Sequence, residues 1–403
     1  VPHFELHNYF RQALSAPPWN VIRGDTAVHI YPAVTGLTYL LSSEVAAGFW
    51  FAFLLDRFQR VMLQLYKLLP SSVAISDTIT HESYGATMAL VVIALWTGRR
   101  HWRHVLDCAT GRVRQRREEM LSYAVAFWGL IAGSCVLAVC LSFLGMPGWM
   151  TIPFVAALFM MCVGISWAAS NGGLPLVQLR YFPTSLIISA LGGGFFTPRG
   201  GVSSALLEQG LARDLRENPM PSMMNSQKLA TETGVSKRGL FLMCAGGMLV
   251  AISVSMYAWL KLCYGIGAVR LARGTFQWHA QYPYRRSAEW LLGGLEPRRS
   301  NLVATAIGVA GFTGLQAARL SFTWWPLHPI GLIVMRSWCL QHFWFPIFLG
   351  WLIKVPLVRY GGLHAYDRAR PFFLGLILGD MLMAGAFAVV GFVTRTGYSV
   401  MPL

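Results

Sequence analysis

Trp324-Trp325-Pro326-Leu327-His328-Pro329-Ile330-Gly331 opens the stretch that decides the fold. An aromatic, apolar run follows to Lys354, then Arg359-Tyr360-Gly361-Gly362, then Arg370-Pro371 and a second apolar run through Gly375 and Asp380. Apolar segments of membrane-spanning length thus alternate with short basic loops, and the first opens on a Pro/Gly break. A span of the bilayer needs about 20 apolar residues. Irregular backbone at that depth is tolerated only where protein or a water-filled cavity satisfies it. The pattern predicts a polytopic, all-α membrane protein with a non-helical element inside it.

Composition agrees. Of 403 residues, 55% are hydrophobic and 12% charged, against about 25% charged in a soluble domain, so lipid must cover much of the surface. A net charge of +16 suggests nucleic-acid binding first. The excess lies in loops beside apolar runs, as positive-inside topology demands, and nucleic acid is excluded on that ground. The seven cysteines form no CxxC pair and read as small buried hydrophobes, so neither a disulfide framework nor zinc is implied. The chain starts at Val1 with an amphipathic lead-in containing Pro17-Pro18, which is no signal peptide, and further N-terminal residues are expected to precede it.

Working back along the chain, residues 1–25 are the lead-in and 26–198 a first transmembrane bundle. Residues 199–237 form a polar connection and 238–403 a second bundle. Within 26–43, Tyr31-Pro32-Ala33-Val34-Thr35-Gly36 interrupts the apolar run and predicts a broken or half-length helix. Ser42-Ser43-Glu44 then supplies capping residues for a helix over 45–66. Further spans are expected at 83–98, 121–146, 149–170, 239–260, 301–318, 328–352 and 371–393. The run 181–198 is expected to cross or re-enter, giving nine or ten membrane segments. Loop 99–119 carries seven Arg against three acids, which places it and loop 264–300 in the cytoplasm if 181–198 crosses. The part 203–216 predicts an amphipathic surface helix ended by Pro219 and Pro221. The localisation that follows is a bacterial inner (cytoplasmic) membrane, multi-pass.

Three breaks are candidate solute sites, because transporters use broken helices to present helix ends and free carbonyls to substrate. They are Tyr31-Pro32 through Gly36, Asn171-Gly172-Gly173-Leu174-Pro175, and His328-Pro329-Ile330-Gly331; each reads equally as a tight turn at the interface. Asp380 is the one charge in 371–393. It is a proton or cation site, or the partner of Arg336 or another base. Asp56 stands four residues before Arg60 and predicts a local ion pair. His328 and His342 are proton relays or satisfied interior histidines. His101 and His104 lack a third ligand, so no metal site is expected. No GxxxxGK loop, no Gly-x-Ser-x-Gly elbow and no HExxH occurs, so no cofactor or hydrolytic machinery is implied. Gly375/Gly379 and Gly129/Gly133 are small-xxx-small pairs suited to close helix contacts within the bundle or in a homodimer.

The quoted C-terminal stretch, with Gly350-Trp351-Leu352-Ile353-Lys354 and Pro371-Phe372-Phe373-Leu374-Gly375, resembles an uncharacterised bacterial family of multi-spanning proteins. Tyr31 to Leu41 resembles that family's other recurring stretch. The family is distantly similar to the oligopeptide transporter superfamily, whose members move peptides or metal chelates with protons. The resemblance therefore implies secondary transport of a small polar solute. Relatives carry a charged stretch before a Gly-Leu-Pro, where this chain has Trp167-Ala168-Ala169-Ser170-Asn171-Gly172-Gly173, so no coupling charge carries over there. The competing readings are a membrane enzyme walled by loops 199–237 and 264–300, and an accessory subunit whose 15 Trp and 24 Phe meet lipid or a partner.

Overall fold

The structure is a computed structural model. It describes residues 14–24, 26, 28–70, 73–114, 119–173, 182–211, 218–271, 279–292 and 296–394. Leu174-Pro175, singled out above, lies outside them. The described residues are helical, with no strand.

The helices are α1 (Pro32–Leu40), α2 (Ser43–Leu65), α3 (Ile75–Thr97), α4 (Arg99–Ala109), α5 (Tyr123–Phe143), α6 (Gly148–Gly172) and α7 (Pro183–Leu191). There follow α8 (Pro198–Leu211), α9 (Pro219–Thr233), α10 (Lys237–Leu262), α11 (His279–Leu292), α12 (Arg299–Ser321) and α13 (Ile330–Val334). The last run, Trp338–Thr394, is broken at Gly362 (φ 64°, ψ −166°). Glycine occupies such a conformation without the Cβ penalty, so the run forms two arms, α14 (338–361) and α15 (363–394).

Local chemistry sets the boundaries. Ser42, Ser122 and Ser236 each accept a backbone N–H in the first turn of the helix they precede, which satisfies donors the helix leaves orphaned. Five helical runs are long and apolar enough to cross a bilayer: Tyr123–Phe143, Gly148–Gly172, Lys237–Gly267, Arg299–Ser321 and Trp338–Thr394. α10 has no buried residue and α5 has only Leu141. Apolar helices exposed in this way are at home in lipid, and the protein is membrane-embedded.

Several expectations change. The run 181–198 contains a nine-residue helix, α7. At 1.5 Å per residue it rises about 14 Å, half of a hydrocarbon core about 30 Å thick, so α7 alone does not cross. The expected surface helix over 203–216 is α8, and its Ser203, Ser204 and Glu208 are buried. Pro219 starts α9 instead of ending α8: a proline at the first helical position loses nothing, since that N–H has no intrahelical acceptor. The loop 99–119 holds a helix, α4.

Compactness does not follow chain order. One unit comprises Val1–Ala89, Asn171–Arg180 and Ser300–Leu403; the other comprises Leu90–Ser170 and Tyr181–Arg299. In the first unit helices touch at glycines. A Cβ at Gly331 would run into the Gly48 carbonyl, and one at Gly308 into the Glu82 carbonyl. The second unit is built round an apolar cluster that includes Leu141, Met150, Phe154, Ile187, Phe196 and Trp290.

Candidate functional site

In the first unit the site is built on α1. Tyr31 is extended and Pro32 takes the first helical position. The next free donor, Ala33 N–H, donates to Asp380 Oδ2 at 3.0 Å. At the other end, Lys354 Nζ donates to the carbonyl of Leu41, the C-cap. An anion at the N-terminus and a cation at the C-terminus both complement the helix dipole. Asp380 comes from α15 and Lys354 from α14, so the kinked pair grips α1 by its two ends.

Between the ends, packing is close. A Cβ on Gly36 would lie 2.5 Å from the Phe373 carbonyl oxygen, and one on Gly350 would lie 2.8 Å from the Thr35 carbonyl oxygen. Tyr39 is fully buried. Its ring stacks on Phe373 (3.9 Å between centroids) and Tyr366 (5.0 Å), and its hydroxyl donates to the Tyr366 carbonyl at 3.1 Å. Lys354 Nζ sits 5.2 Å from the Tyr366 ring centre, a cation–π distance. At the N-terminal end Tyr31 meets Phe343 edge-on, His29 stacks on His342, and His342 stacks on Trp338.

Two of the other sequence breaks gather where α1 hands over to α2. A Cβ on Gly172 would lie 2.9 Å from Ile330 Cδ1 and 3.3 Å from Phe49. Gly173 (φ +60°) packs on Leu41, and Gly331 on Gly48. His328 N–H donates to the Glu44 carbonyl at 3.3 Å, and its Nδ1 accepts from Ile330 N–H at 3.2 Å. His328 and Pro329 are non-helical, as expected, whereas Gly331 already lies in the first turn of α13. Asn171 is the penultimate residue of α6. Two breaks far apart in sequence therefore meet around Leu41–Gly48.

Asp56 belongs to a separate buried cluster. Its carboxylate is 2.7 Å from Arg57 Nη1, 3.3 Å from Arg60 Nε and 3.6 Å from Arg336 Nη1. The pairing with Arg60 is the one the spacing predicts. Arg336, the base suggested for Asp380, is instead directed at Asp56. Removing one member of such a buried ionic group leaves opposite charge uncompensated.

The second unit repeats the α1 device with different parts. Phe182 is extended, Pro183 takes the first helical position of α7, and Thr184 supplies the free donor. Thr184 N–H donates to Glu208 Oε1 at 2.6 Å and its hydroxyl to Oε2 at 2.7 Å. Arg286 of α11 donates to Ser185 Oγ and to the Tyr282 hydroxyl. Its guanidinium lies within 5.1–5.8 Å of the ring centres of Phe182, Trp290 and Tyr282. α8 lies outside the five long apolar runs. Burial pushes the Glu208 carboxyl up to about 7, against the pull of the two Thr184 hydrogen bonds and of Arg286. Sequence reading missed Glu208. The signal was present in Phe182-Pro183-Thr184, which echoes Tyr31-Pro32-Ala33. Among the described residues no three His, Cys, Asp or Glu side chains are grouped to hold a metal.

A family model described as "Family of unknown function (DUF6785)" matches residues 1–402, and the chain belongs to that family. No curated protein and no solved structure matched.

Proposed function

We propose that this member of the DUF6785 family is a secondary transporter of a small polar solute, a peptide or metal chelate, in a bacterial inner membrane. The observation that carries the reading is the pair of half-length helices, each opened by an aromatic-proline step and each met at its first free amide by a carboxylate. Broken helices with charged groups at their ends are the usual furniture of transporter sites at mid-membrane. The peptide or chelate class comes from the resemblance to oligopeptide transporters. With α2 and α3 as crossings, α14 and α15 as separate arms and α1 and α7 as half-crossings, the bundle has ten membrane segments.

The test is uptake by the purified protein in proteoliposomes, under an imposed pH gradient, with a panel of di- and tripeptides and metal chelates. Accumulation above protein-free vesicles is expected for at least one solute, with loss in Lys354→Met. A folded protein that moves none of the panel sinks the peptide-or-chelate reading. A second reading, an accessory subunit, is favoured by the exposure of α5 and α10 along their length. A stoichiometric partner co-purified from native membranes, with no uptake, would select it.

A further inference from the structure

We propose that Glu208 is a proton-binding group: the closed arrangement of α7, α8 and α11 holds a proton on its carboxyl, and parting α7 from α8 releases that proton to water.

Glu208 is 3% exposed, on a helix whose Ala205 belongs to the apolar cluster together with Ile187, Ile188 and Trp290. A carboxylate in such surroundings loses its hydration, and ionisation becomes costly unless hydrogen bonds and a cation compensate. Compensation here is partial. From α7 come two donors, both on Thr184; neither Thr184 nor Ser185 is charged. From α11 comes the field of Arg286, whose own hydrogen bonds engage Ser185 and the phenol of Tyr282. On α8 itself Arg199 packs on Gly145, two turns from the carboxyl. The balance leaves the buried group poised near neutrality, with its pKa pushed up to about 7 from 4.5. Once water reaches it, the group returns towards the ordinary carboxylate range.

The sign follows by linkage. The closed form binds the proton more tightly than the open form, so protonation favours closure and deprotonation favours opening. Atoms balance simply: the O–H bond of Glu208 breaks and the proton passes to water. A group that is an acid when occluded and a carboxylate when wet can carry a proton through an occluded state. Its use as the coupling ion rests on the transport reading above; the proton site itself rests on this geometry.

The test is an infrared pH titration of the carboxyl C=O stretch in the full-length protein, paired with hydrogen exchange of α7. The wild-type minus Glu208→Gln difference spectrum should show a protonated-carboxyl band that titrates with a midpoint near 7. Thr184→Val removes one donor that favours the ionised form, so its midpoint should move upward. Exchange of α7 amides, corrected for intrinsic rates, should rise by up to about 300-fold through the transition in wild type and stay flat in Glu208→Gln. If Glu208→Gln does not fold, the Thr184→Val shift decides. A difference spectrum with no titrating band, or a midpoint unmoved in Thr184→Val, overturns the site. Failure of uptake with a titrating Glu208 would instead remove transport and leave the proton site standing.

Discussion

α1 and α7 have the same length and the same opening, an extended aromatic residue followed by proline, yet they are anchored differently. α1 has a charge at each end, Asp380 at the first free amide and Lys354 at the last carbonyl, and its middle is wedged at Gly36. α7 has both its charges at the amide end, Glu208 on the Thr184 N–H and Arg286 on the Ser185 hydroxyl. At its other end the Ser189 carbonyl accepts the backbone N–H of Arg298 at 3.3 Å. Asp380 is half-buried whereas Glu208 is fully enclosed. A short helix fixed by opposite charges and close packing is a strut. A short helix with both charges at one end, one of them a buried acid, depends on whether that acid is ionised. The contrast assigns stiffness to α1 and response to α7.

Four measurements would break or sharpen this contrast, taken from the largest effect downward. Gly36→Val should be the most damaging, because its Cβ meets the Phe373 carbonyl oxygen at 2.5 Å and Ile377 Cγ1 at 2.7 Å. A loss of about 3 kcal/mol is expected from overpacking against backbone, read by unfolding in detergent. Ala190→Val, on the exposed side of α7, should change stability by no more than about 0.5 kcal/mol. Equal melting of the two variants would erase the claim that α1 is wedged.

The second measurement is the pH dependence of stability, wild type against Glu208→Gln. The folded pKa of Glu208 is raised, to about 7 from 4.5. Its contribution is therefore fully present below about pH 4.5 and is lost as pH rises through about 7. The wild-type advantage should fall by about 3 kcal/mol across that window and level off above it. A parallel pair of curves would mean that Glu208 does not titrate in the folded protein.

Third, Lys354→Met leaves the Leu41 carbonyl without its cation and should cost about 1–3 kcal/mol. Smallest is Asp380→Asn, which keeps an acceptor for Ala33 N–H but removes its charge, at about 1 kcal/mol. The two residues act at opposite ends of α1, so the double variant should lose their sum to within about 0.5 kcal/mol. Strong non-additivity would show that α1 fails as a unit.

The sequence made the membrane class and most helix positions legible, because apolar runs and capping serines act locally. Ser42 caps α2 as its sequence suggests, and the Pro32 break yields a half-length helix. What it hid was partnership. Nothing around Asp380 says that its oxygen meets an amide 347 positions away, and nothing around Arg336 says that it faces Asp56. Glu208 was hidden differently. It lies in a stretch with enough Ser, Gln and Arg to read as solvated surface, and only the packing of α8 against α11 and α7 encloses it. The convergence of Gly172, Gly173 and Gly331 on Leu41–Gly48 is likewise a fact of three dimensions, though each glycine stood out as a break.

The bond between Ala33 and Asp380 also has a meaning in time. Ribosomes add roughly 5–20 residues per second, so α1 leaves the ribosome some tens of seconds before its clamp exists. During that interval a nine-residue helix, too short to be stable alone, has neither its anion nor its cation. It must wait on the insertion machinery, or at the lipid surface, until the last two arms arrive. Ala33 is made 347 residues ahead of the carboxylate that holds it, and α1 is among the last helices to be finished.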